Sequence, residues 1–97
     1  MMPEEDLILI MEFCRGYDVE QSFVQSLQEF ELIKLQVIEN RQFIHKDALL
    51  ELEKYVHLHY DLNINLEGLD AIHNLLERIK SLQQELTQLK NRLNAYE

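Results

Sequence analysis

From Ile72 onward an apolar residue recurs every seven positions without interruption. Ile72, Ile79, Leu86 and Leu93 fall at one heptad position, and Leu75, Leu82, Leu89 and Tyr96 fall three residues later. A seam of this kind, kept over more than three heptads, is the signature of a helix that packs lengthwise against another helix. Asn65 is a good N-cap for it, Leu69 and Leu76 widen the apolar face at its beginning, and no proline interrupts it. The expected helix is about 30 residues, or about 45 Å at 1.5 Å per residue. A chain of 97 residues and 11.7 kDa makes one modest domain, and a body that small cannot cover so long a seam. The expected partner is a second copy, giving a homodimer held by Ile72, Leu75, Ile79, Leu82, Leu86, Leu89 and Leu93. Residues 67–97 then form a dimerisation helix and residues 1–66 the body before it, as one structural unit. A parallel pair would match Glu85 with Lys90 and Arg92 with Glu97; an antiparallel pair centred between Arg78 and Glu85 would oppose those two charges. Both directions stay open.

Upstream of the seam the periods are shorter. After an opening stretch expected to be disordered, Leu7-Ile8-Leu9-Ile10 reads as a short strand and Met11 to Tyr17 as a brief helix with Phe13 and Cys14 inward. Asp18, with Gln21 three residues on, predicts a capping box for a second helix, on which Val19, Phe23, Leu27 and Phe30 form an apolar stripe. Two short helices joined tightly at Gly16-Tyr17-Asp18 resemble a helix-turn-helix. Ile33, Leu35 and Val37 alternate with Lys34 and Gln36, the period of a half-buried strand over Leu32 to Glu39. Asn40-Arg41 predicts a tight turn and Gln42-Phe43-Ile44 a returning strand, so a small β-hairpin wing follows the helix pair. Asp47 is expected to cap a third helix, apolar nearly all round from Ala48 to Tyr60, which must be central to the fold or shared with a partner.

The charge is uneven. Nine Lys+Arg against eighteen Asp+Glu give a net −9 at pH 7. In residues 1–31 eight acids (Glu4, Glu5, Asp6, Glu12, Asp18, Glu20, Glu29, Glu31) face a single base, Arg15. A solvated, solubilising face and electrostatic steering of a basic partner both fit this pattern. Autonomous DNA binding does not: the second helix should lead into the major groove, yet Asp18 and Glu20 stand at its start and Glu29 and Glu31 at its end. No Lys or Arg lies between Arg15 and Lys34. The scaffold is that of a DNA reader with its electrostatics inverted. No stretch approaches the ~20 apolar residues of a membrane span, the acidic start does not fit a secretory leader, and one cysteine allows no internal disulfide. A cytoplasmic protein that touches neither membrane nor nucleic acid directly is expected.

Little in the sequence suggests chemistry. His57 and His59 are two apart on a helix and point about 200° apart, and neither His45 nor His73 completes a ligand spacing. Cys14 sits among acids, which disfavour a reactive thiolate, and is expected as a small core residue. Only two glycines are present, too few for a phosphate-cradling loop. No catalytic residue, metal or cofactor is expected, and the chain is not expected to be an enzyme.

The order of helix pair, wing, central helix, cap and long heptad helix resembles the MerR-like winged-helix superfamily, and within it the CbpM-type chaperone modulators of bacteria. The resemblance rests on Met11-Glu12-Phe13-Cys14, on Phe43 and Ile44 before Asp47-Ala48, and on His57-Leu58-His59-Tyr60-Asp61-Leu62-Asn63-Ile64-Asn65. Gly68-Leu69 and the coiled-coil tail follow. It spans roughly residues 7–96. It implies a mainly α fold, a MerR-like winged helix-turn-helix with a small β-hairpin wing and a long C-terminal coiled-coil helix. It also implies a non-catalytic modulator that binds the J-domain of a DnaJ/CbpA-like co-chaperone and inhibits its stimulation of a DnaK-type chaperone. The alternative is a degenerate MerR-like transcription regulator. J-domains of this kind engage their chaperone through a basic helix, so the resemblance points to the exposed acids Glu12, Asp18, Glu20 and Glu29, with Arg15 at the rim, as the partner-binding residues. One departure is Glu31, where such proteins often have glycine in the turn after the second helix.

Overall fold

The computed structural model describes residues 6–96. Glu4 and Glu5, the opening stretch expected to be disordered, and Glu97 with its expected pairing to Arg92 lie outside the described residues. The chain runs β1 (Leu7–Leu9), α1 (Ile10–Tyr17), α2 (Gln21–Glu29), β2 (Gln36–Ile38), β3 (Arg41–His45), a single 3-10 turn (Lys46–Ala48), α3 (Leu49–Tyr60) and α4 (Leu66–Ala95). The three strands make one antiparallel sheet in the order β1-β3-β2, with Ile8 opposite Ile44 and Val37 opposite Gln42. Asp6, just before β1, is tied to Lys46 at 3.0 Å, which fastens the start of the sheet to the turn after β3.

Five elements meet in one core. Ile10 of α1, Val24 and Leu27 of α2, Ile44 of β3, Leu52 of α3 and Leu69 of α4 are all at or near complete burial. Each burial is worth about 1.5–3 kcal/mol relative to exposure, and together they fix the α1–α2 pair against the sheet and against the root of α4. Cys14 is a buried member of the same cluster, and burial raises its thiol above the ordinary range. The stripe Val19, Phe23 and Leu27 faces inward as its period requires, and Phe30 is half-buried against the cluster.

Four local expectations are corrected. Asp18 does not cap α2. It closes α1 in the left-handed conformation (φ 55°, ψ 51°), its N–H and that of Val19 both returning to the Cys14 carbonyl. An eight-residue helix that must turn at once into another needs such a stop, and Asp tolerates it better than most non-glycine residues. The N-cap of α2 is Glu20, whose side chain makes no capping bond; its N–H donates instead to the Tyr60 hydroxyl at 3.1 Å.

The second correction concerns the expected strand from Leu32. Leu32 and Ile33 are both buried in an irregular connection, β2 starts only at Gln36, and Val37 is 63% exposed. Val37 keeps the expected side of the sheet, opposite Gln42 and on the same face as buried Ile44, but the core does not reach it. Third, the hairpin turn is Glu39-Asn40, both at positive φ (51° and 63°), one residue earlier than expected; paired left-handed residues define the I′ turn of a two-residue hairpin loop. Fourth, Asp47 does not cap α3. It sits within the 3-10 turn and its N–H donates to His45 Nδ1 at 3.1 Å, while the N-cap of α3, Ala48, has no side chain to offer.

The end of α2 closes on a Schellman turn. Leu32 N–H bonds to the Leu27 carbonyl and Glu31 N–H to that of Gln28, both at 2.9 Å, with Glu31 at φ 61°. The conformation that glycine would hold without strain is therefore present with glutamate in its place. The long helix is as expected: Asn65 Oδ1 accepts from Gly68 N–H at 2.7 Å and α4 runs 30 residues. A Cβ at Gly68 would come within 2.7 Å of the Ile64 γ-methyl, so the tight entry to α4 depends on glycine there.

Candidate partner-binding face

The α1–α2 pair is held on α3 by aromatic side chains. Tyr17 stacks on Phe13 with ring centroids 4.5 Å apart, and its hydroxyl donates to Glu53 Oε1 at 2.6 Å. That bond raises the phenol above its ordinary range. Phe23 stacks on His59 at 4.3 Å and meets Tyr60 edge-on, while His59 Nδ1 bonds the Ile64 carbonyl. Gln25 of α2 and Gln42 of β3 face each other as a reciprocal amide pair, which pins the hairpin to the second helix. These contacts leave the opposite side of both helices in water.

All five residues expected to bind a partner are exposed. Glu12 and Arg15 lie on the side of α1 away from buried Ile10, Phe13 and Cys14; Asp18 and Glu20 occupy the connection; Glu29 sits at the end of α2, about half a turn round from Phe23, Val24 and Leu27. The outward positions at the start of α2 are Gln21 and Ser22. Beside Gln21 lies a small apolar patch, with Met11 51% and Val37 63% exposed; Ile38, the next residue of β2, points to the opposite face of the sheet, beside Leu7 and Phe43. Met11 and Val37 line a cleft of about 290 Å³ together with Leu9, Gln21, Asn40 and Arg41. No local period marks this patch, which forms only when the hairpin packs beside the starts of α1 and α2.

The heptad residues divide into two groups. Ile72 is half-buried near the body, whereas Leu75, Ile79, Leu82, Leu86, Leu89 and Leu93 are all roughly half exposed or more. Helix α4 extends well past the body, the described chain measuring 57 × 36 × 21 Å, so the distal seam has no partner within the chain. Among the described residues no group of three or more His, Cys, Asp or Glu side chains is arranged to hold a metal ion, and no helix is long and apolar enough to cross a membrane. His57 pairs with Asp61 one turn later at 2.5 Å, on the opposite side of α3 from the stacked His59.

Comparison with known families agrees with this architecture. The family described as MerR HTH family regulatory protein matches residues 8–91, from β1 through most of α4. No curated protein and no solved structure matches the chain. With nearly the whole described fold inside that match, and with a mainly helical body, a small antiparallel sheet and a long C-terminal helix, the chain belongs to the MerR HTH regulatory protein family.

Proposed function

We propose that this protein is a non-catalytic chaperone modulator. It binds the J-domain of a DnaJ/CbpA-like co-chaperone through its acidic helix pair and blocks that domain's stimulation of a DnaK-type chaperone. In this reading α1 and α2 are the helix-turn-helix and β2–β3 the wing of a winged helix turned from DNA to a basic protein surface. The observation that carries the proposal is the exposed charge of the pair: Glu12, Asp18, Glu20 and Glu29 stand in water against Arg15, with no Lys or Arg on α2. A DNA duplex would meet repulsion there where counterion release is needed, and a basic helix would meet attraction. Charge complementarity speeds encounter, and a few desolvated apolar contacts give retention; Met11 and Val37 supply such contacts beside the helix pair. The distal seam of α4 pairs with a second copy, so the working form is a homodimer with two such faces.

The test is a titration of the purified protein with the J-domain of its host's co-chaperone at low and high salt. Micromolar binding that weakens with salt is expected, and it should be lost in the charge-reversed Glu20→Lys/Glu29→Lys protein. Unchanged affinity on charge reversal would sink the site assignment, and no binding at any salt would sink the function. A second reading, a degenerate transcription regulator, draws on the family's description as a regulatory protein and on Gln21 and Ser22 at the start of α2, side chains able to bond base edges, with Arg41 lining the same cleft as Gln21. A DNA-binding isotherm with a steep salt slope would bring it to the front.

A further inference from the structure

A separate surface lies on the other side of the body. The connection from α2 to β2, the end of β3, the 3-10 turn and the inner flank of α4 enclose a groove of about 700 Å³, within the ~300–1,000 Å³ range of clefts that take a ligand or a few side chains. Its accessible apolar side chains are Leu35 and Ala48, with the edges of buried Leu32 and Ile33 at its floor. Four carboxylates edge it: Glu31 after α2, Asp47 in the 3-10 turn, Glu51 on α3 and Glu77 on α4. Lys34 is the single permanent cation of the lining, and among the described residues no Lys or Arg lies within 4.0 Å of any of the four acids. Among the described residues the only basic side chains at that distance are histidines: His73 Nδ1 lies 3.8 Å from Glu51, and His45 Nδ1, which accepts the Asp47 N–H, lies 3.3 Å from the Asp47 carboxylate.

Glu51 is not left to wander. The Tyr55 hydroxyl is 3.1 Å from Glu51 Oε1 and 3.0 Å from His73 Nδ1. With Nδ1 protonated, His73 donates to the Tyr55 oxygen and Tyr55 donates to Glu51, a short chain that fixes the carboxylate against α4. The groove therefore presents a partly ordered row of four carboxylates, offset among the described residues by Lys34 and by Lys46 beside Asp47.

The geometry points to this groove as a docking cleft for a short basic, amphipathic peptide segment of a partner protein, its Lys or Arg heads on Glu51 and Glu77 and its aliphatic side chains on Leu35 and Ala48. Charge complementarity selects that occupant over an acidic or a wholly apolar one. A second copy of this chain docked along the heptad seam leaves the cleft open. At 100° per residue His73 and Glu77 lie about 100° and 140° round α4 from Ile72, whereas Ile79 lies within about 20° of it. The inference does not rest on the co-chaperone reading, since neither the residues nor the face is shared with Glu12, Asp18, Glu20 and Glu29.

The test uses the full chain and a fluorescein-labelled peptide of alternating leucine and lysine, with its leucine–glutamate counterpart as control. Fluorescence anisotropy should give micromolar, salt-sensitive binding for the lysine peptide and none for the glutamate one. Glu51→Gln/Glu77→Gln should weaken it at least tenfold; glutamine at 51 can still accept from Tyr55, and Glu77→Lys alone, at an exposed helix position, gives the same reading free of any folding defect. Glu20→Gln/Glu29→Gln and Leu82→Asp should leave the affinity unchanged. Amide shifts on titration should gather at residues 31–36, 45–51 and 73–77. Equal binding of the two peptides, no binding, shifts confined to the seam or to α1 and α2, or loss of affinity only in the Glu20/Glu29 variant would each overturn the proposal.

Discussion

Replacing Glu31 with glycine should make the protein more stable, although it deletes a side chain. Glu31 holds φ 61° at the end of α2, and the turn it makes is fixed by two 2.9 Å bonds that return Glu31 and Leu32 to the last turn of the helix. Leu32, immediately after it, is buried, so the backbone cannot relax to a commoner conformation without pulling that side chain out of the core. A left-handed conformation costs a residue with a Cβ about 1–2 kcal/mol. Glycine removes that cost and returns about 0.4–1 kcal/mol of it through the greater freedom of the unfolded chain. The net gain is about 0.5–1 kcal/mol, which for a chain of this length raises Tm by roughly 2–8 °C. Glu31 also adds to a strongly acidic stretch, so any neutral residue relieves some repulsion. Glu31→Gln measures that relief alone, because glutamine keeps the strained backbone. Thermal and urea melts of the three proteins at one fixed concentration give the comparison. Glycine should exceed glutamine by at least about 0.5 kcal/mol. Equal stability of the two variants would refute the strain and leave charge as the whole effect.

Two further outcomes follow from the same coordinates. Leu82, 57% exposed in the middle of the distal seam, still has about half a leucine's transfer energy to gain from a partner helix, about 1 kcal/mol per copy. Leu82→Asp replaces that gain with the cost of desolvating a charge, so light scattering should report monomer where the parent chain reports dimer; an unchanged mass would remove the seam from the assembly. The Tyr55 phenol is held above its ordinary range, first by burial and then by the charge of Glu51 and the bond to it, with Glu77 and Asp70 adding in the same direction. The folded state therefore keeps this proton more tightly than the unfolded state. Its contribution is complete below about pH 10 and is lost as the pH rises beyond that. Urea midpoints measured from pH 8 upward should fall more steeply for the parent than for Tyr55→Phe, and parallel curves would contradict the assignment.

What the sequence makes legible here depends on the range of the interaction that decides each feature. The seven-residue period and Asn65 are local signals with no competitor over thirty residues, and α4 begins and ends where they indicate. Asp18 followed by Gln21 is ambiguous, because a residue that accepts hydrogen bonds at a helix start is also one that tolerates a left-handed stop. The short length of α1 decided between them. Val37 keeps the side that a period of two assigns to it, on one face with Gln42 and Ile44, yet is exposed because the core does not reach that part of the hairpin, a tertiary limit that periodicity does not carry. The Glu51–Tyr55–His73 chain is invisible in the sequence for a plainer reason: it forms only when α3 packs on α4, and no spacing rule joins positions 51 and 73.

Charge is the exception to that dependence on range. An ionised side chain is almost never fully buried without a partner, so the sign of a surface can be read even where the local geometry is not. Asp18 closes one helix where it is expected to open the next, yet it is exposed in either role. Glu20 uses its N–H toward Tyr60 and keeps its carboxylate in water. The cations that could offset them are few: Arg15 stands among them on α1, Arg41 lines the cleft beside Gln21, Lys34 lies in the connection after α2, and Lys46 is held by Asp6 at 3.0 Å. What a helix pair engages depends on the sign and texture of its outer surface as well as on its backbone path. An acidic outer surface selects against phosphate and in favour of lysine and arginine. The charge-reversed Glu20→Lys/Glu29→Lys protein is accordingly the decisive reagent: it should lose the J-domain and gain weak, strongly salt-dependent affinity for DNA. Loss of the first without gain of the second would mean that the scaffold, not only its charge, has moved away from DNA.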